Sequence, residues 1–145
     1  VSEEEVKKDI NEEAMVLELK YGELKGLFTG DIGQETEVQL KAAGVLEDVD
    51  FLKVAHHGSR YSTGMEFLET VIPEVAVISC SATNTYGHPS PETLERLKDA
   101  GVQVLITKDT GAAAIWKSTM STTQKNLSEK KFSVGIFGVS KNGGR

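Results

Sequence analysis

At its centre the chain reads Phe51-Leu52-Lys53-Val54-Ala55-His56-His57-Gly58-Ser59. The first five residues form a mostly apolar run of strand length, and the glycine and serine are typical of a loop. Packing explains two adjacent histidines at a strand end poorly, because neighbouring strand side chains point to opposite faces. Neutral imidazole binds metals and acts as an acid or base near neutral pH. The alternative is one core histidine beside one exposed histidine, and the doublet alone does not decide between them.

Composition places the chain among soluble globular domains. It has 145 residues, 39% hydrophobic and 26% charged, which is enough for one domain with a sizeable core. The net charge of -6 argues against passive binding to nucleic acid, so a metal ion or a local patch would have to offset repulsion from a phosphodiester. A single cysteine, Cys80, excludes an internal disulfide and a zinc–thiolate cluster, and we expect it to be buried. No stretch has the length and apolarity of a membrane helix, and no signal peptide is recognised.

Apolar periodicity predicts a hairpin, then three strand–helix units, then short strands, which together form an α/β domain with a mixed sheet. In the first strand, Leu17, Leu19 and Tyr21 point to one side, which predicts a half-buried strand. The predicted strands are Met15–Tyr21, Leu24–Thr29, Asp50–Ala55, Val75–Cys80, Val102–Thr107, Ala112–Lys117 and Phe132–Phe137, and the predicted helices are Glu35–Ala43, Met65–Val71 and Thr93–Ala100.

Caps and loose segments complete this prediction. Ser62 or Thr63 is predicted to cap the second helix, and Ser90 to cap the third, with Pro91 at its first position. We expect residues 1–145 to form a single domain with loose ends at 1–10 and 140–145, a charged lead-in over 1–13 and a flexible loop over 119–131. The abrupt charged start predicts that the chain is a piece of something longer.

Candidate site residues all follow predicted strands. Asp31 comes after Thr29-Gly30, the doublet follows the third strand, and His88 lies in the polar loop after the fourth. Taken alone, Asp31 is better interpreted as a helix N-cap. However, the carboxyl ends of strands are where open α/β sheets place their sites. An aspartate with histidines suits zinc, manganese or iron.

Three blocks carry a family resemblance: Phe28-Thr29-Gly30-Asp31, the stretch Leu52–Ser59, and Asn84-Thr85-Tyr86-Gly87-His88-Pro89-Ser90-Pro91. With Asn11 ahead of them, they resemble the carboxyl half of the metallo-β-lactamase-fold domain of the ComEC competence proteins, over roughly residues 11 to 117. The resemblance implies half of an αββα sandwich. It also implies a parent protein of natural DNA uptake in the bacterial inner membrane, with this domain as a soluble portion that degrades the single strand not imported.

The same resemblance implies roles for individual residues. Asp31 matches an aspartate that bridges two metal ions, and His57 matches a metal ligand at the end of a strand. His56 would then face the substrate, although the reverse assignment of the doublet stays open. His88 matches a residue at the edge of the site that contacts a phosphate or protonates the leaving group.

Ser59 and Asn84 would orient their neighbours in this scheme. The implied mechanism is hydrolysis assisted by one or two zinc or manganese ions, which lower the pKa of a bound water to about 7. The chain departs from the family in lacking the HxHxDH motif that supplies most ligands from the amino-terminal half. Two ligands are too few for a tight catalytic site. We therefore expect this chain alone to bind metal weakly or not at all, and to be inactive.

The missing half also defines the expected partners. The sheet face and edge that it would cover are predicted to be exposed, which invites dimerisation or strand exchange. Two alternatives remain open. One is part of a stand-alone hydrolase of the same fold that acts on small phosphodiesters or esters. The other is a non-enzymatic module that kept the fold and lost its chemistry.

Overall fold

The structure is a computed structural model that describes residues 14–116 together with the backbone of residues 133–137. The predicted lead-in with Asn11, the predicted loop over 119–131 and both predicted loose ends lie outside these residues. Within the described ranges, no helix has the length and apolar character needed to cross a membrane.

The predicted alternation of strands and helices is confirmed in the part of the chain that the structure describes. The elements are β1 (Leu17–Tyr21), β2 (Leu24–Phe28), α1 (Gln34–Ala42), β3 (Phe51–Lys53), α2 (Met65–Val71), β4 (Val75–Ile78), α3 (Pro91–Asp99), β5 (Gln103–Ile106), α4 (Thr107–Thr110), β6 (Ala112–Trp116) and β7 (Ser133–Phe137). The short α4 is an element that the sequence pattern did not predict.

Five strands form one mixed sheet in the order β1-β2-β3-β4-β5. The hairpin strands β1 and β2 pair antiparallel, whereas β2, β3, β4 and β5 are parallel neighbours. Successive parallel strands are joined by α1, α2 and α3, so the loops after β2, β3 and β4 leave from the same edge of the sheet. Strands β6 and β7 pair antiparallel as a separate two-stranded sheet.

One face of the sheet, called here the helix face, packs against α2 and α3. Leu27, Leu52 and Ala76 lie side by side on this face in adjacent strands, and all three are buried. They join a cluster that also contains Phe67, Leu68 and Val71 of α2 and Leu97 of α3. Cys80, which was predicted to be buried, is a free thiol only partly buried at the margin of this cluster, because it lies beyond the end of β4.

The opposite face, called here the open face, is covered unevenly. Phe51, Val75 and Leu105 pack with Ala113 and Ile115 of β6. Over β2 the ring of Phe51 lies so close to Gly26 that a Cβ at this position would overlap the ring unless Phe51 moved.

The open face continues over the edge strand β1, and all five residues of this strand are exposed. Leu17, Leu19 and Tyr21 are 54%, 43% and 79% exposed, and Phe28 of β2 is 39% exposed. The prediction of a half-buried first strand is therefore wrong for the described part of the chain. The alternation correctly put these side chains on one face, but the described residues leave that end of the face uncovered.

Helix caps differ from prediction in one of two cases. Ser90 caps α3 as predicted, because its Oγ accepts a hydrogen bond from the Thr93 amide at 3.2 Å. The N-cap residue of α2 is instead Gly64, and the buried carboxylate of Glu37 in α1 accepts the amides of Thr63 and Gly64. Ser62 does not serve as the cap, because its hydroxyl donates to the carbonyl oxygens of the preceding loop.

Candidate functional site

Three loops converge at the carboxyl edge of the parallel strands. The His56 amide donates to the carbonyl oxygen of Gly30 at 3.0 Å, which joins the loop after β3 to the loop after β2. The Ser90 amide donates to the carbonyl oxygen of Gly58 at 2.8 Å, which joins it to the loop after β4. These backbone hydrogen bonds bring the predicted site residues to one edge.

The histidine doublet lies in a short helical turn, Ala55–Gly58, directly after β3. His56 and His57 both adopt left-handed backbone conformations, with φ of 47° and 55°. Such a conformation costs a non-glycine residue about 1–2 kcal/mol, so the surrounding contacts must hold it. Gly58 is also left-handed, and a Cβ there would lie 2.6 Å from Pro89 Cβ, so glycine permits the close approach of the third loop. Two strained residues in succession are typical of a functional turn.

Asp31 pairs with His57 at this edge. Its Oδ1 lies 3.8 Å from His57 Nε2, and both side chains are about half exposed. His57 Nδ1 lies 2.7 Å from the carbonyl oxygen of Ser79. Because a carbonyl oxygen can only accept, Nδ1 is the donor, and in the neutral ring the lone pair lies on Nε2, the nitrogen closer to Asp31. The capping interpretation of Asp31 is wrong, since the N-cap residue of α1 is Gly33 and the helix starts too late for Asp31 to reach it.

This pair has the chemistry of two metal ligands. Two atoms bound to one tetrahedral zinc ion lie roughly 3.4 Å apart, so the observed separation requires only a small movement. A histidine that donates one ring N–H to a backbone carbonyl and keeps the other nitrogen free is the usual arrangement of a metal ligand. Among the residues that the structure describes, no three His, Cys, Asp or Glu side chains group closely enough to hold an ion. The Asp31–His57 pair thus offers two donor atoms, whereas catalytic zinc usually has three protein ligands.

The other member of the doublet, His56, lies beside His88. Their ring centroids are 5.7 Å apart with an interplanar angle of 64°. Burial is the main cause that lowers the pKa of His88, with His56 and His57 acting in the same direction and Asp31 opposing them. Its Nδ1 is shielded from solvent and has no hydrogen-bond partner among the described residues. These contacts favour the uncharged form of the His88 ring, and they leave its buried Nδ1 without a partner among the described residues.

Asn84 and Ser59 hold the loops rather than face the Asp31–His57 pair. The Asn84 amide nitrogen donates to the carbonyl oxygens of Ser81 and His88 at 2.7 and 2.8 Å, and its oxygen accepts the His88 amide at 2.9 Å. The Ser59 hydroxyl accepts the Tyr61 amide at 3.3 Å, and its carbonyl oxygen accepts the Thr93 hydroxyl at 2.8 Å. These hydrogen bonds order the backbone near the histidines, and the orienting roles of Ser59 and Asn84 stay predictions.

Two residues near the site were missed by sequence reasoning. Lys53, the last residue of β3, is half-buried on the open face, and its Nζ donates to the carbonyl oxygen of Val54 at 2.8 Å. Burial lowers its pKa, while Asp31 and Cys80 oppose that shift. Tyr86 is 82% exposed and stacks on His88, with centroids 5.9 Å apart and ring planes 15° from parallel. The sequence contained a signal for each residue. Lys53 is a charged residue inside an apolar run, and Tyr86 is an aromatic residue inside a polar loop.

Part of this sequence is shared with known proteins. The chain matches no model of a known protein family. It is 36% identical over 101 residues to ComE operon protein 3 of Bacillus subtilis (strain 168), which covers 70% of this chain and 13% of that protein. It is 35% identical over 107 residues to competence protein ComA of Neisseria gonorrhoeae, covering 72% of this chain and 15% of that protein.

The chain is similar to bacterial competence proteins. A further relative, recombination protein 2 of Haemophilus influenzae, is 36% identical over 87 residues, covering 60% of this chain and 11% of that protein. The chain thus spans only a small part of the length of each of these relatives. The predicted resemblance is confirmed at the level of competence proteins, while the metallo-β-lactamase-type domain and the residue roles stay predictions.

Proposed function

We propose that this chain is part of a metal-dependent hydrolase domain of the metallo-β-lactamase type, within a competence protein that takes up DNA and degrades the single strand not imported. The observation that carries the proposal is the Asp31–His57 pair. Its ligand atoms lie 3.8 Å apart, and the far nitrogen of His57 is fixed to a backbone carbonyl. Similarity to competence proteins supports the DNA-uptake role over a stand-alone hydrolase of small esters.

In this proposal each residue of the site has its own role. Asp31 and His57 would hold zinc or manganese, an ion that when bound activates water and polarises the phosphodiester. It also offsets the repulsion between DNA and a chain of net charge -6. His88, which lies at the same edge with His56 beside it, would accept or return a proton near the leaving group. Ser59 and Asn84 keep these rings in place.

The remaining ligands would come from an amino-terminal half of the parent domain. The open face supports this, because Leu17, Leu19 and Phe28 form an exposed apolar row next to the site edge. We propose that this half covers the row and completes the ion site, in a parent protein anchored in the bacterial inner membrane. In the isolated chain a second copy could cover the same row, which sedimentation at high protein concentration would detect.

The decisive experiment compares this chain with the complete parent domain. Calorimetric titration of the chain with zinc or manganese should show weak binding or none, and a sub-micromolar affinity would contradict an incomplete site. In the parent domain, Asp31→Asn and His57→Ala should each lower manganese-dependent cleavage of single-stranded DNA by more than about 100-fold, because loss of a ligand exceeds loss of its outer support. Asp48→Asn, an exposed aspartate beside Lys25, is the matched control and should keep full activity. Full activity of either site variant would refute the ligand assignment.

A further inference from the structure

Tyr86 has an unusual environment for an aromatic side chain. It is 82% exposed, so packing into the core does not account for its position. One contact defines it: its ring lies nearly parallel to that of His88, at a centroid distance of 5.9 Å. His88 in turn contacts the ring of His56. The rings of Tyr86, His88 and His56 therefore lie in series, with Tyr86 at the exposed end.

The loop that carries Tyr86 is ordered without help from that side chain. Asn84 bridges the loop through three hydrogen bonds to the backbone of Ser81 and His88. The loop then turns at Gly87, whose φ is 72°. A preordered loop that leaves a flat ring uncovered loses little conformational entropy when a partner stacks on it.

The net charge of the chain restricts the class of molecule that could bind at Tyr86. With a net charge of -6, the chain gains little from general attraction to phosphates. Stacking on an aromatic ring does not depend on net charge, and every nucleobase offers a flat face for it. Bases in a duplex already stack on one another, whereas those of a single strand are free to stack on a protein.

We infer that Tyr86 and His88 form a stacking platform for one base of single-stranded nucleic acid, beside the Asp31–His57 pair. The inference deepens the proposed function and rests on it, because it assigns a substrate-binding role to a residue outside the ion site. A base stacked on Tyr86 would place the neighbouring backbone near the three converging loops. Tyr86 would thereby help the site distinguish single strands from duplexes.

The test uses the chain itself and two probes that differ only in their bases. One probe is a fluorescein-labelled oligothymidylate of about 12 nucleotides, and the other is an abasic strand of equal length. Fluorescence anisotropy is recorded in the presence of a chelator, so that binding is measured without hydrolysis. The chain should bind the oligothymidylate more tightly than the abasic strand. Tyr86→Ala should weaken oligothymidylate binding by about 5- to 100-fold and change abasic binding little.

Two variants make the result specific. Tyr86→Phe keeps the ring and should retain most of the affinity. Tyr21→Ala removes a tyrosine that is 79% exposed at the opposite edge of the sheet, and should change nothing. Thermal unfolding followed by circular dichroism checks that each variant is folded.

Three results would overturn the platform: equal affinity of the chain for both probes, an unchanged affinity in Tyr86→Ala, or an equal loss in Tyr21→Ala. Its failure is distinguishable from failure of the proposed function. If the binding results hold and the parent domain cleaves nothing, the hydrolase proposal alone fails. If the parent domain cleaves single strands and Tyr86→Ala binds normally, the platform alone fails.

Discussion

The two faces of the five-stranded sheet are built from the same strands but have different surroundings. On the helix face, Leu52 and its neighbours are buried under α2 and α3. On the open face, Leu17 and Leu19 project from β1 with 54% and 43% of their surface exposed. Alternation along a strand therefore shows the side to which a residue points, but not whether another element covers that side.

The open face also borders the candidate site. Lys53 pairs in register with Phe28 on this face, and its ammonium group interacts electrostatically with Asp31. A single exposed apolar side chain needs no explanation, whereas a row of them on one face marks an interaction surface. Whatever covers the row would also reach the edge where Asp31 and His57 lie. In the proposed function, the segment that covers the face would also complete the ion site.

The largest expected change in the free energy of unfolding comes from matched leucine substitutions on the two faces. Leu52→Ala removes a fully buried side chain and should lower the free energy of unfolding by about 2–5 kcal/mol. Leu17→Ala removes a half-exposed one and should change it by no more than about 0.5 kcal/mol. Urea denaturation followed by circular dichroism measures both values.

A large loss in Leu17→Ala would contradict this contrast and indicate that the open face is covered in solution. Repeating the denaturation at a lower protein concentration then identifies the cover. If a second copy of the chain provides it, the unfolding midpoint falls on dilution. If the cover belongs to the same chain, the midpoint does not move.

A smaller change in the free energy of unfolding is expected from the polar contact between α1 and the start of α2. The Glu37 carboxylate is 2% exposed and accepts the amides of Thr63 and Gly64. Glu37→Gln replaces one accepting oxygen with a donor and leaves a buried amide unpaired, which should cost about 1–3 kcal/mol. Glu35→Gln, an exposed change on the same helix, should stay within about 0.5 kcal/mol. Equal unfolding free energies for the two variants would rule out Glu37 as the cap of α2.

Sequence pattern was sufficient for the parts of the fold that depend on local rules. Hydrophobic runs with turn residues between them predicted the order of strands and helices. The parallel order then required the loops with Asp31, His57 and His88 to share one edge. The Ser90 cap followed the same logic, because serine before proline at a helix start satisfies the first amides without distant contacts.

What the pattern could not predict depends on contacts between distant residues. The cap of α2 is supplied by Glu37, which lies 26 residues before Thr63. Which histidine of the doublet faces Asp31 depends on the backbone conformation of His56 and His57. Both are left-handed, a conformation that non-glycine residues rarely adopt. The exposure of β1 depends on which element covers the open face, and the alternation of apolar residues along a strand gives no information about that element. The stacked Tyr86 likewise becomes visible only once the third loop is folded.

The smallest expected effect lies at the edge between the two faces, in the titration of His88. Burial and two neighbouring imidazoles lower the pKa of His88 below its usual 6.5 in the folded chain. In the window between that lowered pKa and 6.5, the unfolded state binds more protons than the folded state. The contribution of His88 to stability is therefore complete above about pH 6.5 and declines as the pH falls through this window. Metal-free chain should show a weaker dependence of the unfolding free energy on pH after His88→Gln, and nuclear magnetic resonance should report the lowered pKa directly. An unchanged dependence, together with a pKa at or above 6.5, would show that His88 is more open to water than its contacts indicate, and it would remove the neutral imidazole from the proposed site.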